Sequence, residues 1–242
     1  MLLMGDFMPN KLTALILAGG LGTRMRPFTL HTPKNLIKAE GREFLDYQLE
    51  LLAKNGVEHA VLSTGYLGHK IEDYLEGHAT HGIKVQVCHE KELLGTGGAI
   101  INALPLLPDE FLVTYGDSYL LQPFAPVHKA FSASGKDAMM VVLAQEGGTA
   151  ENNCEIRNGL VARYQKGQTP GTFSHMDYGL LFFRKKALAA YRLERFSTDR
   201  IFADLIAAKQ LAAFETRSPY YEIGSKEGLR NLTAYIKSLG RR

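Results

Sequence analysis

The sequence predicts an α/β fold: a three-layer αβα sandwich about a mostly parallel mixed sheet. Three observations carry this. Strand-like apolar runs alternate with helix-period segments through the first half, and that order gives parallel strands with helices on both faces. A glycine cluster follows the first strand, where sheets of this kind hold ligands. The 242 residues fit one large domain.

The first strand is Thr13 to Ala18, a short buried apolar run. It leads directly into Gly19, Gly20 and Gly22, whose missing side chains let a ligand approach the backbone and form an anion-binding concavity. Arg24, Arg26 and Lys34 follow, so the segment is equipped to hold polyphosphate rather than merely to turn. A dinucleotide fingerprint fails, because Met25 stands where the third glycine belongs, and no Gly-Lys-Ser/Thr closes a P-loop.

Glu43 to Asn55 reads as a helix with Leu45, Leu49 and Leu52 on one face, ended by Gly56. A strand over Val57 to Thr64, a helix over Leu67 to Glu76 and a strand over Ile83 to His89 follow. A second glycine cluster, Gly95-Thr96-Gly97-Gly98, opens a helix over Ala99 to Leu107, and glycine there permits approach to a flat base or ribose. Glu92 just before it is either a base-selecting or a solvated carboxylate. Phe111 to Tyr115 is a buried strand ending in Gly116-Asp117, which aims the carboxylate into the expected cleft or caps the next turn.

Beyond Pro123 we expect a helix over Phe124 to Ser134, a strand over Ala138 to Ala144 and a surface loop over Gln145 to Asn153. Asn158-Gly159 joins a hairpin of Cys154 to Arg157 and Leu160 to Tyr164. Met176 to Phe183 is a strand, in which Asp177 is free to meet a sugar hydroxyl or to pair with His175 or an Arg. Helices over Lys185 to Tyr191 and Ile201 to Lys209, and a strand over Leu211 to Thr216, come next. Ser225 caps a last helix whose stripe of Leu229, Leu232, Ile236 and Leu239 faces the core or a second copy in a homodimer.

Composition narrows the function classes. The net charge of +3 is too small to argue for nucleic acid, and part of it is the terminal Gly240-Arg241-Arg242. Cys88 and Cys154 lack metal-ligand spacing, which suggests a reduced, cytoplasmic setting. Met1 to Phe7 has no basic n-region and too short an apolar run for a signal peptide, and no run is long enough to span a membrane. The eight histidines form no ligand cluster along the chain.

Ala18-Gly19-Gly20-Leu21-Gly22-Thr23-Arg24, with Arg26-Pro27-Phe28-Thr29 and then Pro33-Lys34-Asn35-Leu36, resembles the signature of the sugar-1-phosphate nucleotidyltransferases. The likeness extends from about Lys11 almost to the C-terminus. It implies a Rossmann-like fold and a reaction of NTP with sugar 1-phosphate to give NDP-sugar and pyrophosphate. A single domain over residues 1–242 would divide into a nucleotide-binding half, about 11–120, and a sugar-binding half, about 121–242.

By that resemblance Arg24 and Lys34 are catalytic, and Leu17, Ala18, Gly19, Gly20, Gly22, Thr23, Gly95 and Thr96 bind the nucleotide. Lys166, Asp177 and Gly179 would bind the sugar phosphate, although Gln165 and Gly167 replace the usual neighbours of Lys166. Asp117 and Glu222 would hold Mg²⁺, with Glu222 standing where the family has Asp. Leu94 to Ala99 is similar to heptose-1-phosphate guanylyltransferases, and Thr29 to Lys34 to enzymes that activate N-acetylmuramate 1-phosphate with UTP. The heptose or mannose type is the favoured expectation. The lack of a repeat-rich extension argues against a fused acetyltransferase. A silent nucleotide-sugar-binding regulatory subunit is disfavoured because Arg24, Lys34 and Asp117 are all present. A dinucleotide-dependent oxidoreductase is disfavoured because Thr64-Gly65 stands where its acid belongs.

Overall fold

A computed structural model describes residues 11–144 and 152–240. Its strands are β1 (Leu12–Ala18), β2 (Lys38–Ala39), β3 (Arg42–Glu43), β4 (Val57–Thr64), β5 (Lys84–His89), β6 (Glu110–Tyr115), β7 (Ser118–Leu120), β8 (Ala138–Ala144), β9 (Cys154–Arg157), β10 (Leu160–Tyr164), β11 (His175–Arg184), β12 (Leu211–Thr216) and β13 (Tyr220–Glu222). Its α-helices are α1 (Phe44–Lys54), α2 (Gly68–Gly77), α3 (Gly95–Ala103), α4 (Phe124–Ser134), α5 (Thr198–Ala207) and α6 (Lys226–Leu239).

Nine strands form one sheet in the order β5-β4-β1-β6-β11-β8-β12-β10-β9. The run from β5 to β6 is parallel throughout. Beyond it β11 is antiparallel to both β6 and β8, and only β8 and β12 pair in parallel. The mixed character therefore sits in the second half.

Alternation along β1 sorts its side chains between two cores. Ala14, Ile16 and Ala18 join the core built with α1, α2 and α4, while Leu15 joins the one built with α3 and α5. These are the three expected layers. A third, smaller cluster packs α6 through Leu232 onto Phe44, Tyr119 and Ile223, with Leu229 and Ile236 partly buried against it. Most of the α6 stripe is thus core, although Leu239 is 46% exposed. Ser225 caps α6 as expected, accepting from Gly228 N at 2.9 Å.

Several elements differ from the sequence reading. The helix expected over Lys185 to Tyr191 is a 3-10 helix, Lys185–Leu188. Tyr191 leaves the helical path to lay its ring on Phe196, centroids 5.6 Å apart. The helix expected from Ala99 starts at Gly95 and ends at Ala103, where Pro105 favours a 3-10 turn. Asn152 and Asn153 are not surface loop. Asn152 is buried and donates to Phe173 O, and Asn153 Oδ1 accepts from Asp177 N. The rest of that expected loop, 145–151, lies outside the described residues, as do Met1 to Phe7 and Arg241-Arg242. Among the described residues no helix is long and apolar enough to cross a membrane.

Candidate active site

The carboxyl ends of β1 and β6, with Glu90 just past β5, meet at a cavity of about 410 Å³. Leu17, Ala18, Gly19, Gly20, Gly22 and Thr23 all line it. The three glycines do different work there. A side chain on Gly19 would collide with the Glu90 carboxylate, so this glycine makes room for a protein group. Gly22 sits in the left-handed region at φ +59°, and a Cβ there would meet Thr29 Cγ2 at 2.8 Å. Thr29 Oγ1 also donates to Gly22 O at 2.8 Å. Gly20 faces open space and is the one of the three free for close approach by a ligand.

Lys34 and Asp117, 83 residues apart, meet at the cavity wall, with Lys34 Nζ 2.6 Å from Asp117 Oδ2. Both side chains are about four-fifths buried, at 19% and 21% exposure. Asn35, which the sequence reading left without a role, fixes this pair. It is buried and its Nδ2 donates to Gly116 O, tying the Lys34–Leu36 3-10 turn to the residue before Asp117. Gly116 has no room for a side chain, since a Cβ would stand 2.7 Å from Leu17 O. Its N–H instead donates to that oxygen at 2.9 Å.

Glu222 arrives through an antiparallel ladder of β13 with β7, in which it faces Ser118 and Ile223 N donates to Asp117 O. A point one Cβ length from Gly224 lies 2.6 Å from Glu222 Oε2, 3.1 Å from Asp117 Oδ2 and 3.3 Å from Arg24 Nη2. The three predicted groups therefore converge, although they come from the first loop, β6 and β13. Glu222 is folded back on the start of α6, accepting from Gly224 N and from Ser225 Oγ. Among the described residues no three His, Cys, Asp or Glu side chains form a metal cluster. Two hard carboxylates beside an open cavity nonetheless suit Mg²⁺, which keeps water and substrate phosphate among its ligands.

Glu90, Leu93, Gly95, Thr96, Ala99 and Arg195 also line the cavity. The carboxylate here is Glu90, not Glu92, which is exposed and outside the lining. Glu90 stands one residue past β5 and accepts from Ser63 Oγ and Leu94 N, each at 3.1 Å. Burial pushes its carboxyl above the ordinary value, and these two donors hold it back in part.

The second glycine cluster serves packing as much as ligand access. A Cβ on Gly95 would stand 2.6 Å from Phe196 O, and one on Gly98 would collide with Glu194 O. Gly97 N and Gly98 N both donate to Phe196 O, at 3.0 and 3.3 Å. Thr96 lines the cavity but spends its hydroxyl on Thr198, accepting from its N–H at 3.0 Å. Gly98→Ala is expected to cost about 1–3 kcal/mol, the usual range for overpacking a filled site. A lowered thermal midpoint in differential scanning calorimetry is the check, and an unchanged midpoint would mean the 194–196 segment gives way freely.

The residues expected at the sugar phosphate lie apart from this cavity. Asp177 sits behind its wall, accepting from Tyr115 Oη at 3.1 Å and Gly179 N at 2.9 Å. It pairs with neither His175 nor an Arg, since His175 is taken by Glu215 at 2.9 Å. Burial raises the Asp177 carboxyl, and burial together with that carboxylate raises the Tyr115 phenol, so Tyr115 remains the donor. Gly179, at φ +86°, lets its backbone pack on the Tyr115 ring, 3.1 Å from where a Cβ would be. Tyr115 itself lines the cavity, so Asp177 and Gly179 reach it through that ring. Lys166 is exposed and paired with Asp199 at 2.9 Å.

Comparison with known proteins agrees with this architecture. The nucleotidyl transferase family model matches residues 13–168. Mannose-1-phosphate guanylyltransferase catalytic subunit beta of Xenopus tropicalis is 31% identical over 234 residues, covering 93% of this chain. The chain spans 65% of the length of that relative. D-glycero-alpha-D-manno-heptose 1-phosphate guanylyltransferase of Aneurinibacillus thermoaerophilus is 40% identical over 109 residues, which is 45% of this chain and 47% of that protein. The crystal structure of HddC from Yersinia pseudotuberculosis superposes with a TM-score of 0.79 at 27% identity, covering 93% of this chain and 99% of that one. With its glycine loop, its paired Lys and Asp and its three-layer sheet in place, the chain belongs to the nucleotidyl transferase family.

Proposed function

We propose that this chain transfers a nucleoside monophosphate from an NTP to a sugar 1-phosphate, releasing pyrophosphate. The observation that carries this is the convergence of Arg24, Lys34, Asp117 and Glu222 beside the glycine loop. The attacking group is a phosphate oxygen already ionised at neutral pH, so no side chain has to remove a proton. The barrier lies in bringing anions together and is lowered by positioning and fixed charge. The loop of Gly19, Gly20 and Gly22 forms the cradle, with Gly20 its point of close approach. Arg24 grips the β and γ phosphates with its planar fork, and Lys34 offsets the α-phosphate and the incoming sugar phosphate. Asp117 and Glu222 would hold Mg²⁺, which when bound there neutralises phosphate charge.

Among the described residues, all that line the cavity except Arg195 come from positions 17–117, which supports a nucleotide-binding first half. The sugar end then falls to the second half, with Asp177 and Gly179 behind Tyr115 and Lys166 nearer the surface. Cys88 and Cys154 are both free thiols, in keeping with a reduced, cytoplasmic setting.

For the nucleotide, Glu90 supports GTP. An ionised carboxylate only accepts hydrogen bonds, and guanine alone among the common bases offers two adjacent donors, N1–H and N2–H. The relatives named for mannose 1-phosphate and heptose 1-phosphate are guanylyltransferases, and HddC was also crystallised with GMP-PN. A manno-configured hexose or heptose 1-phosphate is accordingly our first choice of acceptor, with N-acetylmuramate 1-phosphate and UTP as the alternative. A product assay pairing each NTP with a panel of sugar 1-phosphates tests this. Glu90→Gln is expected to lower the preference for GTP over UTP by roughly 10–100-fold, the worth of a paired base contact. An unchanged preference would remove Glu90 from base reading, and binding of NDP-sugar without pyrophosphate release would favour a regulatory subunit.

A further inference from the structure

Among the described residues Arg195 is the only one from the second half of the chain that lines the cavity, and the nucleotide contacts proposed above leave it idle. Among the described residues two cations line the cavity, and Lys34 is committed to Asp117. Among the described residues Arg195 has no salt bridge or hydrogen bond to its guanidinium, so its charge is available to a ligand.

The segment that carries it is well fixed. Phe196 O accepts from Gly97 N and Gly98 N, the Phe196 ring stacks on Tyr191, and the Arg200 guanidinium packs on both rings. Arg200 also pairs with Glu194 at 2.5 Å. Arg195 therefore projects from a braced turn.

Its place relative to Glu90 is set by one residue. Leu94 N donates to Glu90 Oε2 at 3.1 Å, and Leu94 O accepts from Phe196 N at 2.9 Å. One peptide segment thus joins the carboxylate to the neighbour of Arg195. Both side chains line the same cavity, one an acceptor only and the other a donor only.

Guanine is the base whose neighbouring edges match that order. Its N1–H and N2–H donors adjoin the O6 and N7 acceptors, and a guanidinium pairs with O6 and N7 in bidentate fashion. We propose that Arg195 is a base-specificity residue that takes O6 and N7 of a guanine whose N1–H and N2–H face Glu90, an assignment that rests on the GTP reading above. Adenine puts an amine where Arg195 needs an acceptor, and pyrimidines have no N7.

Nucleotide analogues separate the two contacts. Inosine triphosphate lacks the N2 amine that Glu90 reads, and 7-deaza-GTP lacks only the N7 that Arg195 reads. The experiment measures kcat/KM for GTP, inosine triphosphate and 7-deaza-GTP with the intact chain, Arg195→Ala and Arg195→Lys. The wild type should use 7-deaza-GTP roughly tenfold less well than GTP, as expected for one charge-assisted hydrogen bond. Arg195→Ala should use those two equally, and Arg195→Lys should fall between. Because the readout is a ratio, partial loss of folded protein does not move it. Equal use of both by the wild type would overturn the assignment. So would an Arg195→Ala variant that is weakened on both but keeps the wild-type ratio, the mark of a phosphate or ribose contact. A wild-type preference for a different NTP would overturn the GTP reading and this assignment together. Equal use of GTP and inosine triphosphate, with 7-deaza-GTP still rejected, would remove Glu90 as the N2 reader and keep Arg195.

Discussion

Lys34→Ala should leave a folded protein with turnover reduced by roughly 10²–10³-fold, the usual loss when one preorganised charge contact is removed. The backbone that presents Lys34 does not depend on its ammonium. Leu36 N donates to Pro33 O, Ile37 N donates to Lys34 O, and buried Asn35 ties the turn to Gly116. What disappears is the cation held 2.6 Å from Asp117. The Asp117 carboxylate would then face the substrate phosphates without that neutralising partner. Arg24→Ala is expected to behave alike, because its head group shares the locus beside Gly224 with both carboxylates. Pyrophosphate release at saturating substrates, read beside the thermal midpoint, checks both variants. Near wild-type turnover in either would strip that residue of its role.

Asp117→Ala should abolish metal-dependent turnover while leaving the nucleotide able to bind. Asp117 supplies an oxygen ligand, but it also occupies Lys34. Removing it frees that ammonium for phosphate, so NTP affinity measured without divalent ions should hold or rise. Titrating Mg²⁺ against both activity and binding separates these effects. If magnesium still raised turnover with the wild-type midpoint, the ligand would have to be sought elsewhere. Glu222 has less latitude than its extra methylene suggests, because both carboxylate oxygens are already engaged at the start of α6.

Much of this site was legible because it is local in sequence. The strand, the glycine turn, Lys34 and Gly116-Asp117 each follow from residues a few positions apart, at strand ends where ligands sit. Glu90 was within reach by the same rule, since it follows β5 directly, yet the glycine cluster drew notice to Glu92 instead. Arg195 could not be found this way. Arg195 reaches the cavity because a distant segment packs on Gly97 and Gly98, and no local pattern marks that contact. The parallel half of the sheet was readable from alternating strands and helices. The second half was harder because β11 inserts antiparallel between β6 and β8, a pairing set by long-range contacts. Lys185 to Tyr191 misled because a helical composition was overridden by the stacking of Tyr191 on Phe196.

The short ladder between β7 and β13 bears on how such a chain could be recombined. It joins residues 118–120 to residues 220–222, across almost the entire second half. A hybrid spliced from two parents near position 121 would take one carboxylate from each. Its new junction would have to reproduce the register of that ladder before the two oxygens could share a neighbour. The halves are therefore not interchangeable modules.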